Sequence, residues 1–443
     1  MSDSVRSVHY EISNEGIGGY RLVGHACPVG CMRIHSGGGA SSSGDATLWV
    51  FNDNNTKPVR DAIERWNKDN PDKKISSETF ANDAYKEKIR TAIGSGNAPT
   101  MIMSWGGASL KDYADQGSIV DLTDDLKDTV DETVLDSVAE GGYVDGKLYG
   151  TSFNGVQPAV LFFNTKVLKE AGVSKEPQTW DELLAAVEKV KATGKTPITL
   201  AGGSKWPYLM WAAYLVDRIG GPEVFQKIEN GEKGSWDDPA VVEAMTKIQD
   251  LVKAGAFGNT YQSLTADDRK DVALLVNDSS AMEMQGSWAY PDFVALNKDF
   301  AENTLSFSAF PSVKGGKGDP KDLTGNLSNY FSISSKASES QQKNAIDFLK
   351  NNTYSDSMVT SMLETGSVPP VKNVEDTVKK NDTKSGFYSF IYEAASEAPA
   401  YQLSWDQALP SDQAETMLNN LEQVFLLQIT PQQFVDNMNK TLE

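Results

Sequence analysis

Between Ala46 and Ala114 the chain alternates strand-like and helix-like stretches three times, and no other feature of the sequence restricts its fold as much. "ATLWVF" (46–51) is a short apolar run that predicts a buried strand, ended by the polar turn "NDNNTK". Thr56, with Pro58 just inside, opens a helix in which Val59, Ile63 and Trp66 share one face. "KKISSETF" is a second strand, "DAYKEKIRTAIGSG" a second helix closed by Gly94 and Gly96, and "TMIMSW" a third strand leading to a helix around Leu110. Such alternation predicts βαβ units on a mostly parallel sheet. Ligands of such sheets bind beyond the carboxyl ends of the strands. The "NDNN" turn and Trp105 both fall there, hence on one edge.

Length and charge narrow the choice further. A chain of 443 residues exceeds the usual single-domain size, so two domains are expected. A formal charge of −20 argues against nucleic-acid phosphates and anionic lipid surfaces as partners. No apolar run approaches the roughly 18 residues of a membrane span. His9, His25, His35, Cys27 and Cys31 all lie in the first 35 residues, and no His or Cys follows Gly44. The remainder therefore has no Ser-His or Cys-His machinery and no His- or Cys-based metal site. "GHACPVGCMRIH" loosely has the order of a metal-ligand set, but a Cys27–Cys31 cystine or free thiols are the plainer expectations for so short and Gly-rich a segment. Lacking a basic-then-apolar order, residues 1–45 read as a flexible leader, vector-derived sequence in place of an export signal being one reading. "SGGGASSSG" (36–44) within it is a tether of roughly 15–18 Å root-mean-square reach.

Asp145-Gly146 signals a hairpin turn, and "AVLFF" a further buried strand. "TWDELLAAVEKVKATG" carries a capping box, Thr179 with Glu182. "WPYLMWAAYLVDRIGG" is a helix opened at Pro207, "SAMEMQGSW" a strand ending in Trp288, and most of the chain beyond Glu339 reads as helical. "GNAPTMIMSWGGASLKDYADQGSIVDLTD", "YGTSFNGVQPAVLFFNTKVLKEAGVSKEPQTWDEL", "AMEMQGSWAYPDF" and "GNLSNYFSISS" together resemble the extracellular sugar-binding proteins of ABC importers, the large class that includes the maltose-binding protein. The resemblance runs in order from residue 46 to 443. "SWGGASLKDY", "KWPYLMWAAYLVDRIGGPEVF" and "LVKAGAFG" look most similar to actinobacterial binders of xylo-oligosaccharides.

This resemblance implies an α/β fold of two hinged lobes around a ligand cleft, with a helical C-terminal part. Matching local strand patterns puts the crossings near Phe153, Phe310 and Gly366. The N-terminal lobe would then be 46–153 plus 311–365, and the C-terminal lobe 154–310 plus 366–443. It further implies a neutral oligosaccharide ligand, membrane permease subunits as partners, a monomer, no cofactor and no metal. Lipid on a cysteine outside the cell would anchor the native precursor. Cys31 is the one candidate, but "PVGC" lacks the usual apolar run before it.

Sugar chemistry gives the aromatic residues a use. A pyranose has an apolar C–H face that stacks on a flat ring, and hydroxyls that need partners able to donate and accept. Trp105 and Trp288 end strands beside glycines, which would leave the indole faces open. Trp211, Trp206 and Trp405 are further candidates, weighed against core packing, and Asp406 is an adjacent hydroxyl acceptor. Trp49, Trp66 and Trp180 read as structural, and Trp236 as a surface helix cap. The polar candidates are Asn52, Asp53 and Lys57 in the first turn, Asn82 and Asp83 at the second helix, Asn154 and Gln157 at the first crossing, and Asn329. Turn formation and capping are the plain alternatives for these. A glycoside hydrolase needs only two carboxylates, yet no pair stands out as a motif and the chain does not read as an eightfold barrel. A peptide-binding module and a binder of raffinose-type α-galactosides or α-glucosides remain the other readings.

Overall fold

The computed structural model describes residues 44–442, so the predictions for His9, His25, His35, Cys27 and Cys31 lie outside the described residues. The predicted alternation appears as β1 (Ala46–Phe51), β2 (Ile75–Phe80) and β3 (Met101–Ser104), with helices Lys57–Asp69 and Asn82–Gly94 between them. β1 pairs in parallel with both β2 and β3. A hairpin follows, β4 (Tyr143–Val144) with β5 (Lys147–Leu148), turning at Asp145-Gly146, where both residues have positive φ. β6 (Thr151–Ser152) comes next.

The second sheet is built on β7 (Gln157–Asn164), whose eight residues are all buried. Its side chains alternate between two cores, Ala159, Leu161 and Phe163 on one face and Val160 and Phe162 on the other. Period-two alternation with both faces apolar leaves no polar side for water, which is why the run reads as continuously hydrophobic. β8 (Thr196–Thr199), β9 (Ser280–Gly286), β10 (Leu305–Ser308), β11 (Leu323–Asn326) and β13 (Tyr401–Leu403) complete this sheet, and β12 (Tyr330–Ile333) returns to the first. β12 lies antiparallel to β3 and β6, while β9, β10 and β11 lie antiparallel to β7. The sheets are therefore mixed, more so than the strand-helix alternation predicted.

The chain changes sheet where β6 gives way to β7, and again between β11 and β12. The expected crossing near Phe310 is thus displaced to residues 327–329. Phe310 is instead stacked on Tyr214 inside the second core, at a centroid separation of 5.0 Å. Three segments lie side by side at the junction. The Phe153 amide donates to the Asn329 carbonyl at 3.0 Å and the Val156 amide to the Val368 carbonyl at 2.9 Å. Gly155 permits this approach, since a methyl there would sit 2.7 Å from the Val368 carbonyl oxygen.

The capping box at Thr179–Glu182 forms as its sequence predicts, and a second one, Thr430 with Gln433, opens the helix Pro431–Asn439. Among the described residues no helix is long and apolar enough to cross a membrane.

Candidate functional site

A cleft enclosing ≈ 1090 Å³, its open mouth included, lies between the ends of strands from the two sheets. One wall begins at the turn after β1. Asp53 Oδ1 accepts from the Thr56 amide at 2.9 Å, and Arg60 Nη2 donates to the Asp53 carbonyl at 3.0 Å. Its carboxylate thus closes the turn through the amide three residues on, and Asp53 also lines the cleft beside Asn52. Burial pushes the Asp53 carboxyl above its ordinary range.

Trp105 lines the same wall, directly after β3. It is only 8% exposed, with Phe51 tilted against it at 5.7 Å and Tyr85 edge-on at 6.0 Å. Lys86 Nζ stands 5.3 Å from the indole centroid. The two glycines after it do not serve to open the indole face. Both have positive φ, and a methyl on Gly106 would meet the Gly141 carbonyl oxygen at 2.5 Å, one on Gly107 that of Gln407 at 2.5 Å. They allow close backbone approach, the second to the helical turn Trp405–Ala408.

The opposite wall carries Trp288, in the turn that ends β9, and Trp206, the first residue of helix Trp206–Gly220. Their rings are 5.9 Å apart and inclined at 60°, giving two differently oriented apolar faces. Beside them Asp292 accepts from Arg269 Nε at 3.2 Å and from Asn54 Nδ2 at 2.9 Å. The latter bond joins the β1 turn to helix Tyr290–Leu296 across the cleft. Burial raises Asp292 to about 6, with Arg269 and Asn54 opposing the shift.

Asn329 lies on the floor, 2% exposed. Its Oδ1 accepts from both Asn154 Nδ2 (2.9 Å) and Gln157 Nε2 (3.0 Å), so its amide group is held in one orientation and presents Nδ2 as a donor. That Nδ2, Trp206 Nε1 and Asp271 Oδ1 are buried without a hydrogen-bond partner among the described residues. Asp406 lines the cleft while accepting from Ser404 Oγ at 2.7 Å and Gln407 Nε2 at 3.0 Å.

Several expected residues lie elsewhere. Trp211 is 0% exposed, edge-on to Phe257 and Phe310, because its helix is apolar all round and buried on most sides. Trp405 is 1% exposed and stacked on Phe225 at 4.4 Å, since the short helix it opens turns the indole inward and leaves Asp406 facing the cleft. Trp236 is no surface cap but a core residue, edge-on to Trp405 and Phe434. Lys57 points to solvent and pairs with Asp61 at 2.5 Å. Asn154 stands behind Asn329 and does not line the cleft. Asp83 also misses it, but its carboxylate accepts from Ser204 Oγ at 2.8 Å and its amide donates to Asp267 at 3.2 Å, a second link across the mouth. Neither Asn82 nor Asp83 caps its helix, of which they are the first two residues; Asn82 lines the cleft.

Lys86, Arg269, Asp271, Gln285 and Asp292 line the cleft without having been singled out in the sequence. Lys86 follows Tyr85 on a helix whose buried positions were legible, so its place near Trp105 had a signal. Arg269 had none, because its direction depends on a left-handed backbone (φ 51°) just before helix Lys270–Val276. No group of three or more metal-ligating side chains occurs among the described residues.

The family profile "Bacterial extracellular solute-binding protein" matches residues 52–353. The chain belongs to this family. Its members are solute-binding proteins, not enzymes, and the two-lobed α/β architecture is theirs. A "Probable sugar-binding periplasmic protein" of Mesorhizobium japonicum is 26% identical over 304 residues, 67% of each chain. Matches to other curated relatives, from Pyrococcus horikoshii and Brucella melitensis, span 53% and 52% of those proteins' lengths. Among solved structures, one from work on xylan utilization by the thermophilic bacterium Caldanaerobius polysaccharolyticus is 27% identical with a TM-score of 0.81, covering 90% of this chain and 100% of that one. A chitin oligosaccharide binding protein is 25% identical with a TM-score of 0.80, covering 90% and 98%.

Proposed function

We propose that this solute-binding protein captures a neutral oligosaccharide outside the cell for an ABC transporter, and that the oligosaccharide is a xylo- or arabinoxylo-oligosaccharide. The observation that carries the reading is the combination in one cleft of aromatic faces with unpartnered donors and an unpartnered acceptor. Trp105, Trp206 and Trp288 supply faces for C–H stacking. Asn329 Nδ2 and Trp206 Nε1 donate, and Asp271 Oδ1 accepts. A buried polar atom left unpaired costs roughly 1–3 kcal/mol, so a ligand with both kinds of hydroxyl partner recovers that cost on entry. The choice of xylose-based sugars is supported by the local sequence similarity around Trp105 and Trp206, and by the structure from xylan-utilization work. Membrane permease subunits are the expected partners, and lipid anchoring of the natural precursor, as a monomer, completes the proposal.

Calorimetry against xylo-, arabinoxylo-, malto- and raffinose-type oligosaccharides tests it. A dissociation constant in the micromolar range or tighter, about −8 kcal/mol or better, is expected for one xylose-based member. Preference for the raffinose type keeps the transport role and replaces the ligand. If no sugar of the panel shifts the melting temperature at millimolar concentration, the sugar-binding reading fails.

A further inference from the structure

Behind the cleft wall two acidic side chains are buried against each other. Asp271 belongs to helix Lys270–Val276, lines the cleft and is 1% exposed. Glu283, on β9, is equally buried, is set against the Asp271 carboxyl and does not reach the cleft. The in-register neighbours of Glu283 on the adjacent strands are Phe162 and Thr199, which bring no charge. Asp292 adds repulsion to Glu283, and the Nε of Arg269 is paired with Asp292.

Two carboxyls in contact, with no cation bonded to either, keep one proton between them. The surroundings decide which one holds it. Asp271 receives Gln285 Nε2 at 3.3 Å and has the Val272 backbone amide nearby, donors that favour its ionised form. Gln285 is itself oriented, since its Oε1 accepts from the Gly286 amide at 3.1 Å. Glu283 has no such donor: neither of its oxygens has a hydrogen-bond partner among the described residues. Burial raises both carboxyls, and the neighbouring Asp271 raises Glu283 further, well above the usual carboxylate range, so of the two the charge rests on Asp271 and the proton on Glu283.

We infer that Asp271 is a ligand-contacting carboxylate whose free Oδ1 accepts a hydroxyl hydrogen, and that Glu283 is a positioning residue which donates its proton to Asp271 from behind. The inference rests on the oligosaccharide reading and names one acceptor of that site. Ligand hydroxyl, Asp271 and Glu283 form a one-way hydrogen-bond chain in which Asp271 accepts from both sides. Such a chain favours a hydroxyl able to donate over a position bearing an ether or methyl group.

Xylotetraose, maltotetraose and chitotetraose serve as probes. Asp271→Asn should weaken binding of whichever probe the wild type takes by tenfold or more, with the melting temperature little changed. Glu283→Gln should stay within threefold of wild type, because its carboxamide still donates to Asp271. Glu283→Leu should lose tenfold or more although residue 283 touches no ligand. Independently of ligand, ¹³C carboxyl NMR at pH 7 should find Glu283 protonated. Asp271→Asn binding within threefold of wild type, Glu283→Gln losing as much as Glu283→Leu, or an ionised Glu283 overturns the inference while leaving the sugar reading intact. A wild type that binds none of the three, with Glu283 still protonated, overturns the ligand contact through failure of the sugar reading.

Discussion

Gly286→Ala isolates the part Trp288 plays in the cleft. Gly286 has φ −72° and ψ 161°, an extended conformation that alanine adopts without strain. Glycine is needed there for another reason. An added methyl would overlap Cε3, Cζ3 and Cη2 of Trp288, each well inside the 3.0 Å that real methyl contacts essentially never breach. The indole must leave, and with it the inclined pair it makes with Trp206. Overpacking of this kind costs about 1–3 kcal/mol, while alanine's smaller unfolded-state entropy returns about 0.4–1 kcal/mol. Net destabilisation should therefore be modest, roughly 0–2.5 kcal/mol in a urea melt. Binding should suffer more, by about 2 kcal/mol or roughly thirtyfold, the size expected for a displaced aromatic anchor. The decisive assay is the double-mutant cycle with Trp288→Ala, read by calorimetry against the tightest sugar of the panel. In the Trp288→Ala background the methyl no longer meets the indole, so Gly286→Ala should change affinity little. If it costs the same in both backgrounds, the glycine acts through something other than the indole, and the reasoning is refuted.

Trp105→Ala should lower both stability and affinity, by about 2–4 kcal/mol in a denaturant melt and tenfold or more in calorimetry, because Phe51 and Tyr85 pack on a ring that also lines the cleft. Asn329→Ala should destabilise the ligand-free protein, since it strands the buried amides of Asn154 and Gln157 at roughly 1–3 kcal/mol each; an unchanged urea midpoint counts against the network. Asp292, raised from 3.8 to about 6 by burial, binds its proton more tightly in the folded state. Its stabilising contribution is complete below about pH 4 and disappears as pH rises through 6, on the order of 3 kcal/mol at 1.36 kcal/mol per pH unit. Melting curves of Asp292→Asn between pH 4 and 7 should accordingly fall less steeply than those of the wild type, and parallel curves would show that Asp292 is not the titrating group.

Local pattern carried the reading a long way. The strand-helix alternation after Ala46, the capping boxes at Thr179 and Thr430, and the apolar run of β7 are set by neighbours in sequence, whose periodicity and hydrogen-bonding options act over a few residues. The edge carrying Asn52, Asp53 and Trp105 followed from strand direction alone. Which tryptophan faces the cleft did not follow, because that depends on which side of a helix meets another element. Trp206 and Trp211 stand five residues apart on one helix, one lining the cleft and the other enclosed by Phe257 and Phe310. Trp405 and Asp406 are adjacent yet point to core and cleft in turn. The change of sheet at 327–329 was equally hidden, since β11 and β12 are similar short strands and only pairing with β7 or β3 tells them apart. Asp271 and Glu283 stand on a helix and on the strand that follows it, and in sequence each is an ordinary acidic residue. Their shared burial, and the proton it forces between them, exists only once the helix is laid on the sheet, because desolvation and through-space repulsion belong to the packed chain.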